Sequence, residues 1–110
     1  MVDAASGKQL ASPTIGDGPD AAGWDAAHKL AFASCGEGIL SIVDASAAGY
    51  PTAESLPTQR GARTMAYDAG TDRVYLVTAE FGPRPAATPE NPRPRAPMVP
   101  GTFTVLVVGR

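Results

Sequence analysis

Two arginines stand out in the stretch PTQRGARTMAYD, which runs from Pro57 to Asp68. A guanidinium binds phosphate or carboxylate through two parallel hydrogen bonds, so Arg60 and Arg63 could hold an anion. The same loop could instead be only a joint between two pieces of sheet, with Gly61 supplying a turn conformation. Which alternative holds depends on the elements that flank the loop.

The chain offers few residues that could catalyse a reaction. His28 is the only histidine and Cys35 the only cysteine. A single histidine cannot form a histidine metal cluster and a single cysteine cannot form an internal disulfide. We also expect no Ser-His-Asp triad around His28. The glycine-rich piece Gly16–Pro19 lacks the spacing of a phosphate-binding motif. We expect no catalytic residues, no metal ligands and no cofactor.

The composition is that of one modest domain with many turns. The chain has 110 residues, of which 12 are glycine and 11 are proline, and this usage favours short elements. The net charge is −2, but residues 1–55 carry two lysines against seven acids, whereas residues 56–110 carry seven arginines against four acids. No stretch has the apolar length of a membrane span, and the first ten residues do not have the pattern of a signal peptide.

The apolar segments have the length and composition of strands. They are rich in β-branched and aromatic residues and are bounded by Gly, Pro, Asp and Ser turns; they read LAFAS, ILSIV, TMAYD, RVYLVT and TFTVLVV. The alanines at 21–27 do not form a helix pattern, because Gly18, Pro19 and Gly23 interrupt it. We predict an all-β chain with almost no helix.

This strand pattern occurs twice. Val2–Asp25 can be laid over Val43–Asp68, with an offset of 41 residues at the start and 43 after an insertion. The match continues where Lys29–Cys35 falls on Arg73–Ala79, and the next strand falls on the C-terminal apolar run. Four short strands in each such repeat are typical of a β-propeller blade.

We therefore predict blades of four antiparallel strands, named A to D from the axis outward, in the permuted order D-ABCD-ABC. The predicted strands lie at 20–25, 29–35, 38–44, 52–57, 63–68, 73–79 and 102–108. Residues 1–17 hold the outer strand D of a preceding blade, at Lys8–Ile15; residues 18–58 form a complete blade; and residues 59–110 form a blade that lacks its outer strand and carries an insertion at 82–100.

Two blades cannot bury both of their outer faces, because each blade packs against a neighbour on either side. The predicted partners are therefore the missing blades of a larger propeller or further copies of this chain.

One face of the predicted propeller gathers most of the charged loop residues. The D-to-A and B-to-C connections share that face, and ligands of propellers bind around the central channel there. The candidate ligand-binding residues are Asp17, Asp20, Glu37, Arg60, Arg63, Glu80 and Arg84. The alternatives are a polar or anion-binding rim, and inter-blade ion pairs with solvated loops.

The insertion Gly82–Pro100 holds seven prolines and three arginines, so it cannot be regular sheet. It could be an arm that contacts an acidic partner or a surface excursion packed on the blades. Together with Arg60 and Arg63, its arginines Arg84, Arg93 and Arg95 define the alternative function, nucleic-acid or polyanion binding.

The blade residues resemble those of the YVTN, or YncE-like, β-propeller proteins. The matching pieces are Gly16, Gly18-Pro19, Asp25, Phe32 to Cys35, Gly38 and Val43-Asp44, and then Gly61, Asp68 and Leu76 to Ala79. The asparagine of the name motif is replaced by Cys35 and Ala79, so a role tied to that asparagine does not carry over.

The resemblance implies an exported, periplasmic protein with further blades, and a non-enzymatic binding or scaffold function. Some members are linked to nucleic acid or to the cell envelope, and none of the motifs is an established catalytic centre. A propeller enzyme, such as a lactonase or an oxidoreductase, is the remaining alternative. It would need a cluster of metal-binding side chains, for which the chain offers only His28 and Asn91 beside its acids.

Overall fold

The computed structural model describes residues 1–109, and within that range the chain is all-β, with no helix. Its strands are β1 (Pro19–Asp25), β2 (Leu30–Cys35), β3 (Ile39–Asp44), β4 (Thr52–Pro57), β5 (Thr64–Asp68), β6 (Arg73–Thr78) and β7 (Thr104–Val108). Each lies within two residues of a predicted strand. The all-β prediction is therefore confirmed.

The strands form two antiparallel sheets in which neighbours in sequence are neighbours in space. The first sheet has the order β1-β2-β3-β4 and the second has the order β5-β6-β7. Tight turns join the first two strands of each sheet, so that Asp25 pairs with Leu30 and Asp68 pairs with Arg73. Short turns account for the pairing of β1 with β2, β2 with β3 and β5 with β6, whereas the insertion at 82–100 lies between β6 and β7.

The hydrophobic core lies between the two sheets. Phe32 and Leu40 of the first sheet pack with Val74 and Leu76 of the second, and Ala62 of the connecting loop is fully buried among them. The rings of Phe32 and Tyr67 are 5.3 Å apart between centroids. Full burial of a Val, Leu or Phe side chain stabilises the fold by about 1.5–3 kcal/mol. The packing of these core side chains therefore joins the two sheets into one unit.

Aspartates fix the turns after the first strand of each sheet. The Asp25 carboxylate accepts hydrogen bonds from the backbone N–H groups of Ala27 and His28. The Asp68 carboxylate accepts one from the N–H of Gly70 and another from the Thr71 hydroxyl. Asp side chains characteristically satisfy the N–H groups of tight turns in this way.

The N-terminal residues form a small hairpin. Val2 and Gln9 make an isolated antiparallel bridge, and the N–H of Asp3 donates to the carbonyl of Lys8 at 2.8 Å. The predicted outer strand at Lys8–Ile15 pairs with no other strand within residues 1–109, and its role as a strand stays a prediction. No helix in the described part of the chain is long and apolar enough to cross a membrane.

Candidate functional site

Three loops meet at one end of the two sheets. The N–H of Gly36, after β2, donates to the carbonyl of Gly18 at 2.8 Å, and the N–H of Gly61 donates to the carbonyl of Gly36 at 2.8 Å. Gly18 and Gly61 have φ of 70° and 83°, which a glycine adopts without the strain that a side chain would add. The backbone therefore links the loop before β1, the β2–β3 turn and the loop before β5.

Two buried hydroxyl groups hold the arginine-bearing loop in place. The Ser34 hydroxyl donates to the carbonyl of Arg63, and the Thr78 hydroxyl donates to the carbonyl of Arg60 at 2.9 Å. Ser34 is fully buried and Thr78 is 5 % exposed. The backbone of this loop is therefore fixed, while both arginine side chains point out of the core and are exposed.

The insertion completes the site by folding back on itself. The N–H of Gly82 donates to the carbonyl of Pro97 at 2.7 Å, and the N–H of Val99 donates to the carbonyl of Glu80 at 2.8 Å. Phe81 and Met98 form a bridge between these two bonds. The two ends of the insertion are thus held side by side, which brings residues from both ends toward the loop before β5.

Between these loops lies an open groove of about 1330 Å³. Four arginines line it, two from the loop before β5 and two from the insertion, namely Arg60, Arg63, Arg84 and Arg95. Glu80 is the one carboxylate in the lining, and Phe81 and Val99 supply apolar surface. We call this the arginine groove.

The arginine side chains of the groove have no ion-pair partner within residues 1–109. The ion pair found within residues 1–109 joins His28 and Asp25. No carboxylate of the described residues lies within 4.0 Å of an arginine of the groove. Clustered like charges repel one another, and a groove concentrates their field. The arrangement therefore favours an anion from outside the chain.

The structure brings four of the seven predicted site residues together in this groove: Arg60, Arg63, Glu80 and Arg84. The other three lie nearby but outside its lining. The N–H of Asp17 donates to Glu37 at 2.7 Å, so these two residues form a contact of their own beside Gly36. Asp20 is exposed at the start of β1.

Arg95 and Phe81 line the groove although the predicted site set did not include them. Arg95 was expected to contribute only to the alternative polyanion surface, and Arg93, expected beside it, is not in the lining. In the sequence, the proline-rich composition of the insertion was the signal that could have pointed to these two residues. Its fold could not be read from that composition, because the turn depends on the backbone hydrogen bonds of Gly82 and Val99.

A second polar cluster lies at the opposite end of the sheets. Asp25 is 1 % exposed, and its carboxylate contacts His28 Nδ1 at 2.7 Å. One ligand atom each from Asp25, His28 and Asp72 lie within 4.8 Å of one another. The Tyr67 hydroxyl donates to Asp72 at 2.9 Å, and burial, with the hydrogen bond to Asp72, raises the pKa of Tyr67 to about 12.

Tyr67, on β5, also forms a side-chain hydrogen bond with Asp25 at the end of β1, so the cluster joins the two sheets. The His28 side chain is 48 % exposed. Cys35 is fully buried at the end of β2, where a thiol packs as a small apolar side chain.

No family model, curated protein or solved structure matches the chain.

Proposed function

We propose that the chain is a non-enzymatic binding module made of two consecutive β-propeller blades, and that its ligand site is the arginine groove. Two antiparallel meanders that pack face to face, with their first strands adjacent, support the blade assignment. The motif residues shared with YVTN proteins support it independently. In such a scaffold the loops at one end bind ligand, and the strands hold those loops rigid.

The proposed ligand is a polyanion with closely spaced phosphate or carboxylate groups. One observation carries this proposal: four arginines line a single groove that contains one carboxylate, and none of the four has an ion-pair partner within residues 1–109. Each guanidinium can donate two parallel hydrogen bonds to an oxyanion. A chain of anionic groups would engage several arginines at once, whereas a single small anion would reach only one or two.

A single-stranded nucleic acid is the more specific candidate. Phe81 lines the same groove and is 52 % exposed, so a base could stack on its ring while phosphates meet the arginines. Stacking of this kind contributes about 1–3 kcal/mol per base. The enzyme alternative gains no support from the groove, because Glu80 is its one carboxylate.

Binding to inorganic polyphosphate and to a fluorescent single-stranded oligonucleotide tests the proposal. The variant Arg60→Gln/Arg63→Gln should weaken binding of both by about ten- to a hundredfold, because two charge-assisted contacts are lost. For the unmodified chain, the logarithm of the association constant should fall linearly with the logarithm of the salt concentration, with a slope of about −0.7 per phosphate contacted.

The variant Lys8→Gln/Arg73→Gln is the matched control, since it removes two positive charges from exposed positions outside the groove. It should bind nearly as well as the unmodified chain. Equal losses in the two double variants would show that only net charge matters, and undiminished binding by the Arg60→Gln/Arg63→Gln variant would rule out the groove. Phe81→Ala should weaken oligonucleotide binding more than polyphosphate binding if bases stack there.

A further inference from the structure

The second sheet has an open edge and an uncovered face. In the first sheet β3 lies between β2 and β4. Within residues 1–109, β7, the strand in the corresponding place of the second sheet, pairs with β6 alone. Val105 and Val107 of β7 are 51 % and 55 % exposed, and Phe103 is 63 % exposed. An exposed edge next to an apolar face is a surface on which another strand can pair.

The exposed face of the second sheet corresponds to a face that is covered in the first. Pairing with the preceding strand places Val105 and Val107 where Leu40 and Ile42 stand. Leu40 is fully buried and Ile42 partly buried, because the second sheet packs over them. Within residues 1–109, no further sheet packs over Val105 and Val107 of β7.

The N-terminal hairpin reproduces the connection between β3 and β4. Val2 pairs with Gln9 as Val43 pairs with Thr52. The N–H of Asp3 donates to the carbonyl of Lys8 at 2.8 Å, as the N–H of Asp44 donates to that of Pro51 at 2.9 Å. Both aspartates also accept the N–H two residues on. Residues 9–14 therefore correspond to β4, the outer strand that the second sheet lacks.

The chain leaves this segment as it leaves β4. After β4 the chain crosses to the second sheet, where the carbonyl of Arg60 accepts from the Thr78 hydroxyl. After residue 14 it crosses onto the first sheet, where the N–H of Gly16 donates to the Ser41 hydroxyl at 3.0 Å and the Thr14 carbonyl accepts from the Thr52 hydroxyl. Residues 9–14 thus stand at the outer edge of a sheet that would precede β1.

We propose that the chain associates head to tail with copies of itself, residues 9–14 of one copy pairing antiparallel with β7 of the next. The correspondence with β3 and β4 sets the register: Val107 opposes Ala11, and Thr104 opposes Thr14. The exposed face of the second sheet then packs on the far face of a neighbour's first sheet. The surfaces in contact differ, so the contact is heterologous and a closed ring satisfies every copy.

The N-terminal residues occupy the place that β7 would take. Met1 contacts residues 10 and 11 through three hydrogen bonds: its ammonium donates to the carbonyl of Ala11, and its carbonyl accepts from the N–H groups of Leu10 and Ala11. Val2 makes a single bridge. Pairing with β7 would replace these few contacts with a strand of five residues. Met1 and Val2 thus compete with the second copy, and removing them should strengthen association.

Sedimentation and light scattering of the 110-residue chain measure the proposed association. We expect a discrete oligomer at micromolar concentration. Val107→Lys should shift it to monomer, because the added charge would be buried in the contact. Ala69→Lys, in the exposed turn between β5 and β6, should not. Deletion of residues 1–2 should lower the dissociation constant about tenfold. A monomer at all concentrations, in the intact chain and in the deletion variant, overturns the proposal.

Cysteine crosslinking tests the register. Opposed residues of an antiparallel pair have Cα atoms about 4.5–5.5 Å apart, which a disulfide can span. A mixture of Ala11→Cys and Val107→Cys chains should form a crosslinked heterodimer on oxidation, and a mixture of Ala11→Cys and Thr71→Cys chains should not. An oligomer without the first crosslink would mean a different interface. The Arg60→Gln/Arg63→Gln variant should still associate, so loss of anion binding and loss of assembly can be told apart.

Discussion

At the scale of residues, short polar side chains hold the backbone and leave the arginines available. Ser34 and Thr78 use their hydroxyls on loop carbonyls, and aspartates accept the N–H groups of the turns. These bonds satisfy buried backbone groups that would otherwise be costly. Arg60 and Arg63 enter this network only through their carbonyls. Within residues 1–109 no carboxylate pairs with the guanidinium groups of the groove, and their charges remain available to a ligand.

Acid should destabilise the fold partly through Asp68. The hydrogen bonds from the Thr71 hydroxyl and the Gly70 N–H lower the pKa of Asp68 below its usual value of 3.8, and burial opposes them. A carboxyl whose pKa is lower in the folded state adds stability above its unfolded pKa, and this is lost as pH falls through the folded pKa. Urea unfolding should therefore show lower stability at pH 3 than at pH 7.

Two variants isolate this effect. Asp68→Asn keeps an acceptor for the Gly70 N–H but cannot ionise, so it should be less stable at pH 7 and should lose less stability on acidification. Thr71→Val keeps the carboxylate and removes the hydroxyl donor, and it should also lose less. An unchanged acid dependence in both variants would contradict the assignment.

At the scale of elements, a glycine lets the β2–β3 turn lie close against the loop that joins the two sheets. Gly38 has a φ of 100°, and a Cβ placed on it would lie 3.1 Å from the backbone nitrogen of Arg60. This close approach lets the β2–β3 turn support the loop that carries the arginines. The turn and the loop therefore act as one structural element.

Gly38→Ala should lower the free energy of unfolding by about 1–3 kcal/mol, because the side chain adds both backbone strain and a clash with backbone atoms. Gly49→Ala is the control: its φ is 81°, but a Cβ there meets nothing within 4 Å. Urea unfolding of the two variants separates strain alone from strain with a clash. Equal destabilisation would show that the contact with the arginine loop carries no energy.

At the scale of the whole molecule, the two sheets share one core and should unfold together. Trp24 lies on β1 and reports on the first sheet, whereas Leu76 is fully buried on β6 of the second. Leu76→Ala should destabilise the chain by about 2–5 kcal/mol through lost burial and a cavity. Because the core is shared, Trp24 fluorescence and far-UV circular dichroism should shift by the same amount.

Leu40→Ala, in the first sheet, is the matching change and should give the same coincidence of the two signals. A Trp24 transition that stays at its original midpoint in Leu76→Ala would mean that the sheets unfold as separate units.

The sequence by itself determined the strands and their turns. Alternating apolar segments bounded by Gly, Pro and Asp are local signals, so strand ranges such as 52–57 and the turn role of Asp68 could be predicted from neighbouring residues alone. The loops expected to carry charge were also identified. Their grouping was only partly predictable, as Asp20 and Arg93 lie outside the groove and Arg95 lies in it.

Only the tertiary structure decided which charges meet and which remain unpaired. Whether a carboxylate lies near Arg60 depends on contacts between residues that are far apart in the sequence, such as those that line the groove. The periodicity of a strand carries no information about such contacts. The proline-rich insertion folds back through backbone bonds at Gly82 and Val99, and this turn sets the position of Arg95. Local patterns fix strands because their physics is local, whereas a groove arises from loops that are brought together by the packing of two sheets.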